Sequence, residues 1–599
     1  MICLKQNTGM TLVPARLELQ GRTPYSAQFD DVYHSAAGGP AQARHVFLHG
    51  NGLPQRWAGR GRFVILETGF GLGVNFLTTW QAWRRDAGRC TRLHYVAIEK
   101  HPFNLEDLRT LHARYPELRQ EAAQLHAKWP PLVSGAHRLE LGNVVLTLFF
   151  ADIAVARDLR LAADAFYLDG FAPARNPEMW TPAVMRALSR LAARGATAAT
   201  WSVAASVRQA LEATGFAVEK RAGFGDKREM LVARSTKGIE VHASKRKTAT
   251  VVGAGLAGAA VCERLCSRGW EVTLVERHAG PAQEASGNHA GTFHPIVTPD
   301  DSVFARLTRA GFLYGISTWS RFENLRWDRC GVLQLARDAR EEASQQRSVA
   351  GLPEQYAAYV AREEASRHAG VPVMAPGVWF PQGGWVQPRS LVEAQLNACG
   401  DRLKKVFQHE VSSLDEENLT ILCTSSEAPK LHPVPHLRLR RVRGQLTYLP
   451  EGALEPPHAV LLRGGMLLPP VEGICVAGAT FDIDDEETAP RAESHAANLE
   501  RLARIVSLNR NLENLEGRVS FRAVAPDRLP VVGRLGENVY GAFAYGSRGL
   551  VWAALAAEMI ASDLEGEPLP IEGKLADALS PGRFAKRARA RAGSPGSPA

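Results

Sequence analysis

The 599-residue chain lacks several features that would assign it to common classes of protein. It has no run of about 18 apolar residues, so we expect no membrane span. Its first residues lack a basic stretch followed by an apolar one, which argues against a secretory signal peptide. Its eight cysteines form no Cys-x-x-Cys pair, and we therefore expect no bound metal. Together these absences favour a protein of the reducing cytoplasm without a membrane partner.

The composition is that of an ordinary globular chain, with 45% hydrophobic and 22% charged residues. The net charge of +9 suggests an acidic partner such as nucleic acid. Part of that charge lies in residues 581–599, which we expect to form a disordered basic tail. The basic residues of this tail are Arg583, Lys586, Arg587, Arg589 and Arg591. A tail of this kind binds nucleic acid in some proteins and only increases solubility in others.

The first 236 residues alternate between apolar strand patterns and helical patterns, which predicts an α/β domain with a mainly parallel sheet. The predicted strands cover residues 62–67, 92–100, 143–152 and 164–171, and a hairpin closes the domain. A helix is predicted over 181–195, with Pro182 in its first turn and Gly195 at its C-terminal cap. The polar, basic stretch 237–248 is predicted to be a linker.

A glycine-rich turn follows the first of these strands. It reads Glu67-x-Gly69-x-Gly71-x-Gly73, a spacing that differs from the dinucleotide-binding pattern. The next strand ends at Glu99, placed to bind a ribose, and another ends at Asp152, placed near a base. This combination is typical of class I (Rossmann-like) methyltransferases and predicts that S-adenosylmethionine binds here. Each acid alone is more often a solvated carboxylate.

A fourth strand ends in the sequence LDGFAPARNPEMW, which begins at Leu168. Its carboxylate, Asp169, stands at the end of the sheet where methyl transfer would take place. A carboxylate there can accept hydrogen bonds from an attacking amine and take up its proton. The alternative interpretation is that Asp169 only caps a turn or a helix.

A second glycine turn opens another domain, predicted over residues 249–580. The sequence TATVVGAGLAGAA contains Gly253-x-Gly255-x-x-Gly258 between a strand and a helix. The following strand ends at Glu276, 18 residues past Gly258, and an acid at this point binds a ribose and disfavours a 2′-phosphate. These features predict NAD or FAD, with the pyrophosphate at the helix N-terminus.

Two later stretches favour FAD over NAD. EASGNHAGTFHP contains Ser286 and Gly287, small residues that let the backbone pack beside a flavin ring. YGSRGLVWAA contains Gly546 and Gly549, a glycine turn that opens an apolar helix. The split arrangement resembles an α+β FAD-binding domain of the glycine oxidase and D-amino-acid oxidase type. That resemblance implies an inserted substrate domain, here at about 330–480.

Three motifs of the first domain resemble the family of bifunctional tRNA 5-methylaminomethyl-2-thiouridine biosynthesis proteins, known as MnmC. They are ETGFGLGVNFL, LDGFAPARNPEMW and FDDVYHS followed by VFLHGNGLPQRW. The order of the two domains also matches this family, and the resemblance covers nearly the whole chain. The chain departs from the family at Leu72, commonly Thr, and at Val74, commonly Leu, but it keeps the glycines.

The resemblance implies a tRNA substrate whose wobble uridine carries a carboxymethylaminomethyl group. The FAD domain would oxidise the carboxymethyl C–N bond, and hydrolysis would leave an aminomethyl group. The first domain would then methylate that amine with S-adenosylmethionine. In the oxidase group an arginine that matches Arg522 holds the substrate carboxylate, with Arg548 as the second candidate and Arg443 as the third. Alternatively, these arginines are surface residues or phosphate contacts.

Two other interpretations stay open. An amine oxidase fused to a small-amine methyltransferase would use the same two cofactors. A non-catalytic S-adenosylmethionine-binding or tRNA-docking module joined to an oxidase would have little need for Asp169. We expect a monomer.

Overall fold

The computed structural model describes residues 12–241, 243–244, 246–415, 417–508 and 512–592. The chain divides into two compact units. The N-terminal unit comprises the described residues of 9–244 together with 562–574, and the C-terminal unit comprises those of 245–561 and 575–599. Every helix in the described part of the chain is too short or too polar to span a bilayer.

The N-terminal unit contains a sheet of eight strands in the order β10-β11-β9-β8-β4-β5-β7-β6 and a small sheet of three, β1-β2-β3. The strands are β1 (Glu18–Gln20), β2 (Thr23–Ser26), β3 (Asp31–Val32), β4 (Arg62–Glu67), β5 (Arg92–Glu99), β6 (Gly135–Leu141), β7 (Val144–Phe150), β8 (Ala163–Tyr167), β9 (Ala192–Thr200), β10 (Phe216–Ala222) and β11 (Glu229–Ser235). Strands β7, β5, β4, β8 and β9 are parallel, and the hairpin β10–β11 is antiparallel, as predicted.

Helices flank this sheet because its central strands are apolar on both faces. Strand β4 has the sequence RFVILE, and all but its first residue are buried. The helices are α1 (Gly39–Gln42), α2 (Val74–Arg85), α3 (Leu105–His112), α4 (Arg119–Ala127), α5 (Pro182–Arg190) and α6 (Ala205–Ala213). Short 3₁₀ turns lie at His49–Asn51, Gln55–Trp57, Pro116–Leu118, Ile153–Asp158 and Pro177–Trp180, and a π turn at Ala43–Leu48.

The prediction of a helix over 181–195 is correct at its start and wrong at its end. Thr181 caps α5 by accepting from the backbone N–H of Val184, and Pro182 is the first helical residue. The helix ends at Arg190, and Gly195 lies inside β9 with a φ of 73°. The pairing of β8 with β9 shifts register at this point. Gly195 therefore allows an irregularity in the strand and does not cap a helix.

The C-terminal unit contains sheets of six, three and nine strands. The six-stranded sheet has the order β20-β13-β12-β21-β29-β28, with β12 between two parallel neighbours. The strands are β12 (Thr248–Val252), β13 (Glu271–Val275), β14 (Gly291–Phe293), β15 (Trp327–Asp328), β16 (Val332–Leu335), β17 (Ala358–Val360), β18 (Gly377–Phe380), β19 (Gly384–Val386), β20 (Leu403–Val406), β21 (Thr420–Leu422), β22 (Arg440–Leu449), β23 (Val460–Leu462), β24 (Met466–Leu467), β25 (Cys475–Gly478), β26 (Asp482–Ile483), β27 (Gly517–Val524), β28 (Val531–Arg534) and β29 (Val539–Phe543).

The nine-stranded sheet uses residues 332–524, a range that contains most of the insertion expected at about 330–480 and extends past it. The remaining helices are α7 (Leu256–Cys266), α8 (Val303–Trp319), α9 (Ala339–Val349), α10 (Arg362–Ala369), α11 (Pro388–Ala398), α12 (Ala428–Leu431), α13 (Ala492–Ala503), α14 (Gly549–Glu565), α15 (Gly573–Leu579) and α16 (Arg583–Ala592), with 3₁₀ turns at Ala285–Gly287 and Gly400–Arg402.

The prediction of a disordered tail over 581–599 is wrong for its first part. Helix α16 begins at Arg583, which is only 5% exposed. Its guanidinium donates to both carboxylate oxygens of Asp527, at 2.9 and 3.1 Å, and Phe584 is buried beside it. A paired arginine and a buried aromatic ring anchor this segment. Residues 593–599 lie outside the described residues.

Residues 562–574 belong to the N-terminal unit, although they were predicted to be part of the second domain, 249–580. Glu567 is 6% exposed and lies within ion-pair distance of Arg92, at 3.3 Å, His94, at 3.4 Å, and Arg138, at 4.0 Å. Arg138 also donates to the carbonyl oxygen of Pro568 at 2.8 Å. This segment therefore supplies a buried carboxylate to a basic cluster on β5 and β6.

Candidate active sites

The first candidate site lies where the strand order of the eight-stranded sheet reverses. Strand β4 pairs with β5 on one side and with β8 on the other, and ligands of open α/β sheets bind at the carboxyl ends of strands at such a point. A cavity of about 1120 Å³ opens there, here called the N-terminal cavity. Of the predicted site residues it is lined by Gly69, Gly71, Glu99, Asp152 and Asp169.

The glycine turn approaches the cavity with its backbone. Gly71 and Gly73 have φ values of 49° and 71°, a region that favours glycine, and Gly73 is the N-cap of α2. The N–H of Gly71 donates to Glu99 Oε2 at 2.7 Å, and the N–H of His101 donates to Glu99 Oε1 at 2.7 Å. Glu99 is thereby fixed at the end of β5 on the cavity wall. Its role as a ribose ligand stays a prediction.

Asp152 follows β7 and faces the same cavity. Its Oδ1 accepts from the N–H of Ala154 at 2.9 Å, and its Oδ2 lies 2.9 Å from Lys100 Nζ. Partial burial acts to raise the pKa of Asp152, but these two partners outweigh it, and the pKa is lowered overall. Asp152 is therefore charged at neutral pH and can accept a hydrogen bond at the cavity wall.

Asp169 follows β8 and is held by three residues. Its Oδ2 accepts from Asn75 Nδ2 at 2.7 Å, its Oδ1 accepts from the N–H of Gly170 at 2.9 Å, and its carbonyl oxygen accepts from Thr68 Oγ1 at 2.7 Å. Burial raises the pKa of Asp169 from 3.8 to about 6, although the hydrogen bond from Asn75 lowers it. A carboxylate with this pKa can take up a proton near neutral pH.

Two predicted residues of the glycine motif do not line the N-terminal cavity. Gly73 lies at the start of α2, where a Cβ would stand 2.7 Å from the ring of Phe70. Glu67 is fully buried at the end of β4, and its Oε1 accepts from Asn75 Nδ2 at 2.7 Å. Burial, and then the charge of Asp169, raises the pKa of Glu67 well above its ordinary value.

Several residues on the wall of this cavity were not predicted from the sequence. Asn75 follows the glycine turn directly, and its place in the motif was the available signal. The rings of Tyr33 and Phe171 lie 5.1 Å apart, and the ammonium group of Lys227 lies 3.9 Å from the centre of the Trp201 ring. These four also line the cavity but come from distant segments, so nothing in the local sequence indicated that they meet.

These features fit S-adenosylmethionine. The glycine turn lets the backbone come close to a ligand, and acids stand at the ends of β5 and β7, where the ribose and the base of a nucleoside would lie. Carboxylates and aromatic rings line the same wall, and both suit a ligand that carries a sulfonium charge.

The second candidate site lies in the C-terminal unit, at the carboxyl end of β12. Strand β12 pairs with β13 and β21, so the strand order reverses here too. A cavity of about 1360 Å³ lies at this point, here called the C-terminal cavity. Its lining includes these predicted residues: Gly253, Gly255, Glu276, Ser286, Gly546, Gly549, Arg522 and Arg548.

The two remaining predicted glycines, Gly258 and Gly287, do not line the C-terminal cavity. They allow close packing behind it. A Cβ at Gly258 would stand 1.9 Å from the carbonyl oxygen of Gly253, so α7 can meet the glycine turn only without a side chain there. A Cβ at Gly287 would stand 2.3 Å from the carbonyl oxygen of Ala282.

The wall near β12 has the features that a dinucleotide requires. Helix α7 begins at the glycine turn, and a helix N-terminus favours an anion. Glu276 accepts from the N–H of Ala254 at 2.8 Å and follows β13, where a ribose would lie. Ser286 Oγ accepts from the N–H of Leu256 at 3.0 Å, and a Cβ on Gly255 would stand 2.9 Å from that oxygen. These residues fit FAD.

Arg522 and Arg548 both face the C-terminal cavity, and burial lowers the pKa of each, that of Arg548 to about 10. Arg522 lies on β27, where Nη1 donates to the carbonyl oxygen of Thr480 at 3.3 Å, and Asp482 partly offsets its desolvation. Among the described residues, no hydrogen bond or ion pair to the Arg548 guanidinium is found. Two partly buried guanidinium groups with unused donors suit a carboxylate ligand.

Arg443, the third candidate, lies behind the wall. It is fully buried and does not line the C-terminal cavity. It donates to the carbonyl oxygens of Glu487 and Ala489, both at 2.8 Å, and contacts Asp482 and Gln445. Because these partners use its donors, Arg443 has a structural role. No group of acidic, histidine or cysteine side chains that could hold a metal occurs among the described residues.

Comparison with known proteins assigns both units. Residues 248–562 match the family described as FAD dependent oxidoreductase, and residues 116–236 match the family described as S-adenosyl-L-methionine-dependent methyltransferase. A glycine oxidase from Bacillus cereus is similar to 53% of this chain, over 95% of its own, with 16% identity and a TM-score of 0.45. The two family matches make the chain a bifunctional enzyme that uses S-adenosylmethionine and FAD.

The particular family follows from full-length relatives. The chain is 46% identical to the tRNA 5-methylaminomethyl-2-thiouridine biosynthesis bifunctional protein MnmC of Paraburkholderia phytofirmans, over 96% of this chain and 98% of that protein. It is 45% identical to the protein of the same name in Thiobacillus denitrificans, again over 96% and 98%. The chain belongs to the MnmC family. The family, the two-domain fold and both cofactors expected from the sequence are therefore confirmed.

Proposed function

We propose that this chain modifies the wobble uridine of tRNA in two steps. The first step removes the carboxymethyl group from 5-carboxymethylaminomethyl-(2-thio)uridine, and the second methylates the resulting amine to give 5-methylaminomethyl-(2-thio)uridine. The observation that carries this proposal is the full-length similarity to MnmC proteins, whose name includes this product. The two cavities at strand-order reversals supply a separate place for each step.

FAD supplies a hydride acceptor when bound, and S-adenosylmethionine supplies the methyl group. In the C-terminal cavity, Arg522 and Arg548 bind the carboxylate of the carboxymethyl group and orient its CH₂. Both are partly buried, so their hydrogen bonds to a carboxylate are less screened by water than those of an exposed arginine. The carboxylate in turn offsets the desolvation of the two cations.

In the N-terminal cavity, Asp169 acts on the amine. It accepts a hydrogen bond from the aminomethyl group and takes up the proton that nitrogen must lose when it gains a methyl group. Its position at the end of β8 and its pKa of about 6 suit this role. Glu99 and Asp152 hold the nucleoside part of the methyl donor.

The test uses the purified full-length chain in excess over tRNA that carries 5-carboxymethylaminomethyluridine, followed by mass spectrometry of the nucleosides. Without S-adenosylmethionine, aminomethyluridine should accumulate, and with it methylaminomethyluridine should form. Protection of the tRNA from nuclease near physiological salt tests binding directly. If the tRNA nucleoside is unchanged while free small amines are oxidised, the tRNA assignment is wrong.

The domain limits, the oligomeric state and the compartment belong to the proposal as well. We propose a linker at 237–248 and a monomer that works in the cytoplasm. Light scattering on a size-exclusion column measures the mass against 65.3 kDa for one chain.

A further inference from the structure

Asn75 joins two carboxyl groups at the wall of the N-terminal cavity. It is the second residue of α2, and its Nδ2 donates to Glu67 Oε1 and to Asp169 Oδ2, each at 2.7 Å. Asn75 and Asp169 line the cavity, whereas Glu67 does not. A buried carboxyl group is thus connected through one amide to the carboxylate that faces the cavity.

These two contacts determine which way the amide points. A primary amide nitrogen has two N–H donors, and both are used here. The structure places Asn75 Nδ2 at 2.7 Å from Glu67 Oε1 and from the carboxylate of Asp169, which can only accept, so Asn75 Oδ1 lies on the other side of the amide. Among the described residues, no donor to Asn75 Oδ1 is found. The amide therefore presents a free acceptor in a cavity that already holds one carboxylate acceptor.

Glu67 keeps the amide in this orientation. It is fully buried and its Oε1 is the acceptor for one of the two N–H groups. The hydroxyl of Tyr95, also fully buried, lies against the same carboxyl group. Burial and the neighbouring Asp169 raise the pKa of Glu67, which favours an uncharged carboxyl group that still accepts from Asn75. Because Glu67 is fully buried and does not line the cavity, it would act on a ligand through Asn75.

We propose that Asn75 and Asp169 together select a primary amine for methylation, each accepting one of its two N–H groups, and that Glu67 is the residue that positions Asn75. The inference rests on the proposed function and names the form of the amine that the site accepts. A primary amine nitrogen has one carbon, two hydrogens and one lone pair in a tetrahedral arrangement. When both hydrogens are bound, the lone pair has a single direction left, and reaction requires that it point at the methyl group.

The same arrangement discriminates against secondary amines. The methylated product and the carboxymethylated precursor each have one N–H on this nitrogen when it is neutral, so one of the two acceptors stays without a donor. An unmatched acceptor in a partly buried site disfavours binding. The site should therefore release the product and stop after one methyl transfer.

The test uses the full-length chain, tRNA that carries 5-aminomethyluridine and S-adenosylmethionine with a labelled methyl group. Asn75→Ala should lower kcat/KM for methylation about 10- to 100-fold, as expected for the loss of a hydrogen bond that orients the reacting nitrogen. Glu67→Met keeps a side chain of similar length but removes the acceptor, and it should also lower kcat/KM for methylation. Glu67→Gln, which restores an acceptor, should recover most of the rate. The control is Asn143→Ala, an exposed residue outside the cavity.

Two readouts separate positioning from a merely structural role. The Kd of S-adenosylmethionine, measured by calorimetry, should change by less than about twofold in Asn75→Ala, because neither proposed contact reaches the methyl donor. The acid limb of the pH–rate profile should move to higher pH, because the hydrogen bond that lowers the pKa of Asp169 is lost. The inhibition constant of methylaminomethyl tRNA should change less than the KM of the primary amine.

The results that would overturn the inference are specific. Asn75→Ala with wild-type kcat/KM, or with the loss explained by weaker S-adenosylmethionine binding, contradicts it. So does an unchanged ratio between primary and secondary amine affinity. If Glu67→Met does not fold, Asn75→Ala at the cavity wall decides alone. Wild-type chain that fails to methylate the tRNA refutes the proposed function instead, and this control is run in the same assay.

Discussion

The guanidinium of Arg522 packs directly against the α-carbon of Gly444, so that a Cβ at Gly444 would stand 2.6 Å from Arg522 Nη2. The two residues lie on the paired strands β22 and β27. A residue with a side chain at position 444 would therefore have to displace the arginine. Because the obstructing atoms are the end of a flexible side chain, the fold can yield there while the binding site changes.

Gly444→Ala should therefore displace Arg522 and raise the KM of carboxymethylaminomethyl tRNA for oxidation about tenfold, the effect of losing one hydrogen bond to a charged group. FAD content and methylation of aminomethyl tRNA should stay unchanged. The comparison variant is Gly582→Ala, an exposed glycine whose Cβ would have only the hydroxyl of Ser580 near it, at 3.7 Å. Equal KM values in the two variants would indicate that Arg522 does not bind the substrate.

Substitutions of the two cavity arginines test which one holds the carboxylate. Arg522→Lys keeps the charge but loses the two-pronged geometry, and we expect a large rise in KM for oxidation, about 10- to 100-fold. Arg522→Ala should be worse. Arg548→Lys is the matched variant, since Arg548 is likewise partly buried and has no ion pair among the described residues. Normal oxidation by Arg522→Ala would transfer the role to Arg548.

Gly255→Val should empty the FAD site. A Cβ at this position would stand 2.9 Å from Ser286 Oγ, which accepts from the first N–H of α7, and a branched side chain would also enter the space proposed for the pyrophosphate. The purified wild-type chain should be yellow, and the variant should be colourless with its methyltransferase activity intact. An extract of the wild type with NAD and no flavin would contradict the FAD assignment.

The sequence predicted the elements whose cause is local. Strand β4 was predicted at its observed limits, because an apolar run followed by glycines is a signal in itself. The acids at strand ends were found for the same reason. For Glu67 the local pattern is not sufficient. The motif indicates that Glu67 lies near the cofactor, but only its contacts with Tyr95 and Asn75 show that its side chain faces the interior.

What the sequence did not predict depends on partners far away in the chain. Helix α16 looked like a disordered arm because its basic residues have no acidic neighbours in sequence. Its anchor, Asp527, lies 56 residues earlier. Likewise, nothing near Glu567 indicates that the basic cluster of Arg92 and Arg138 surrounds it. Such contacts are set by tertiary packing, which a local pattern does not contain.

A cut within residues 237–247 gives a test of these long-range contacts. Both pieces should fold, the first binding S-adenosylmethionine and the second FAD. The first piece lacks Glu567, and it should melt at a lower temperature than the methyltransferase unit of the uncut chain, because its buried basic cluster has lost a carboxylate. Full-length Glu567→Gln should show part of this loss in the same melting transition. An unchanged melting temperature in both would mean that the cluster is neutralised by other groups.

Asp169 should affect the methylation rate and the stability of the fold in opposite directions as the pH changes. Methylation requires its unprotonated form, and its pKa is raised from 3.8 to about 6, so the rate of methylation should fall as the pH drops below about 6. Asp169→Ala should abolish methylation while oxidation continues, and aminomethyluridine should accumulate on the tRNA. Asp169→Asn should be nearly as inactive, because an amide accepts a hydrogen bond but takes up no proton.

The stability of the fold should fall as the pH rises, whereas the methylation rate should rise. A carboxyl group whose pKa is raised on folding destabilises the folded state as the pH rises from 3.8 through 6, because the folded protein holds the proton more tightly than the unfolded chain does. Asp169→Asn removes a partly buried charge, so its melting temperature should exceed that of the wild type at pH 8, and the difference should vanish below about pH 4. Melting curves of both proteins at the two pH values measure this directly. If Asp169→Asn lost activity and stability together at pH 8, Asp169 would be a structural cap, and the base for methylation would have to be sought elsewhere in the cavity.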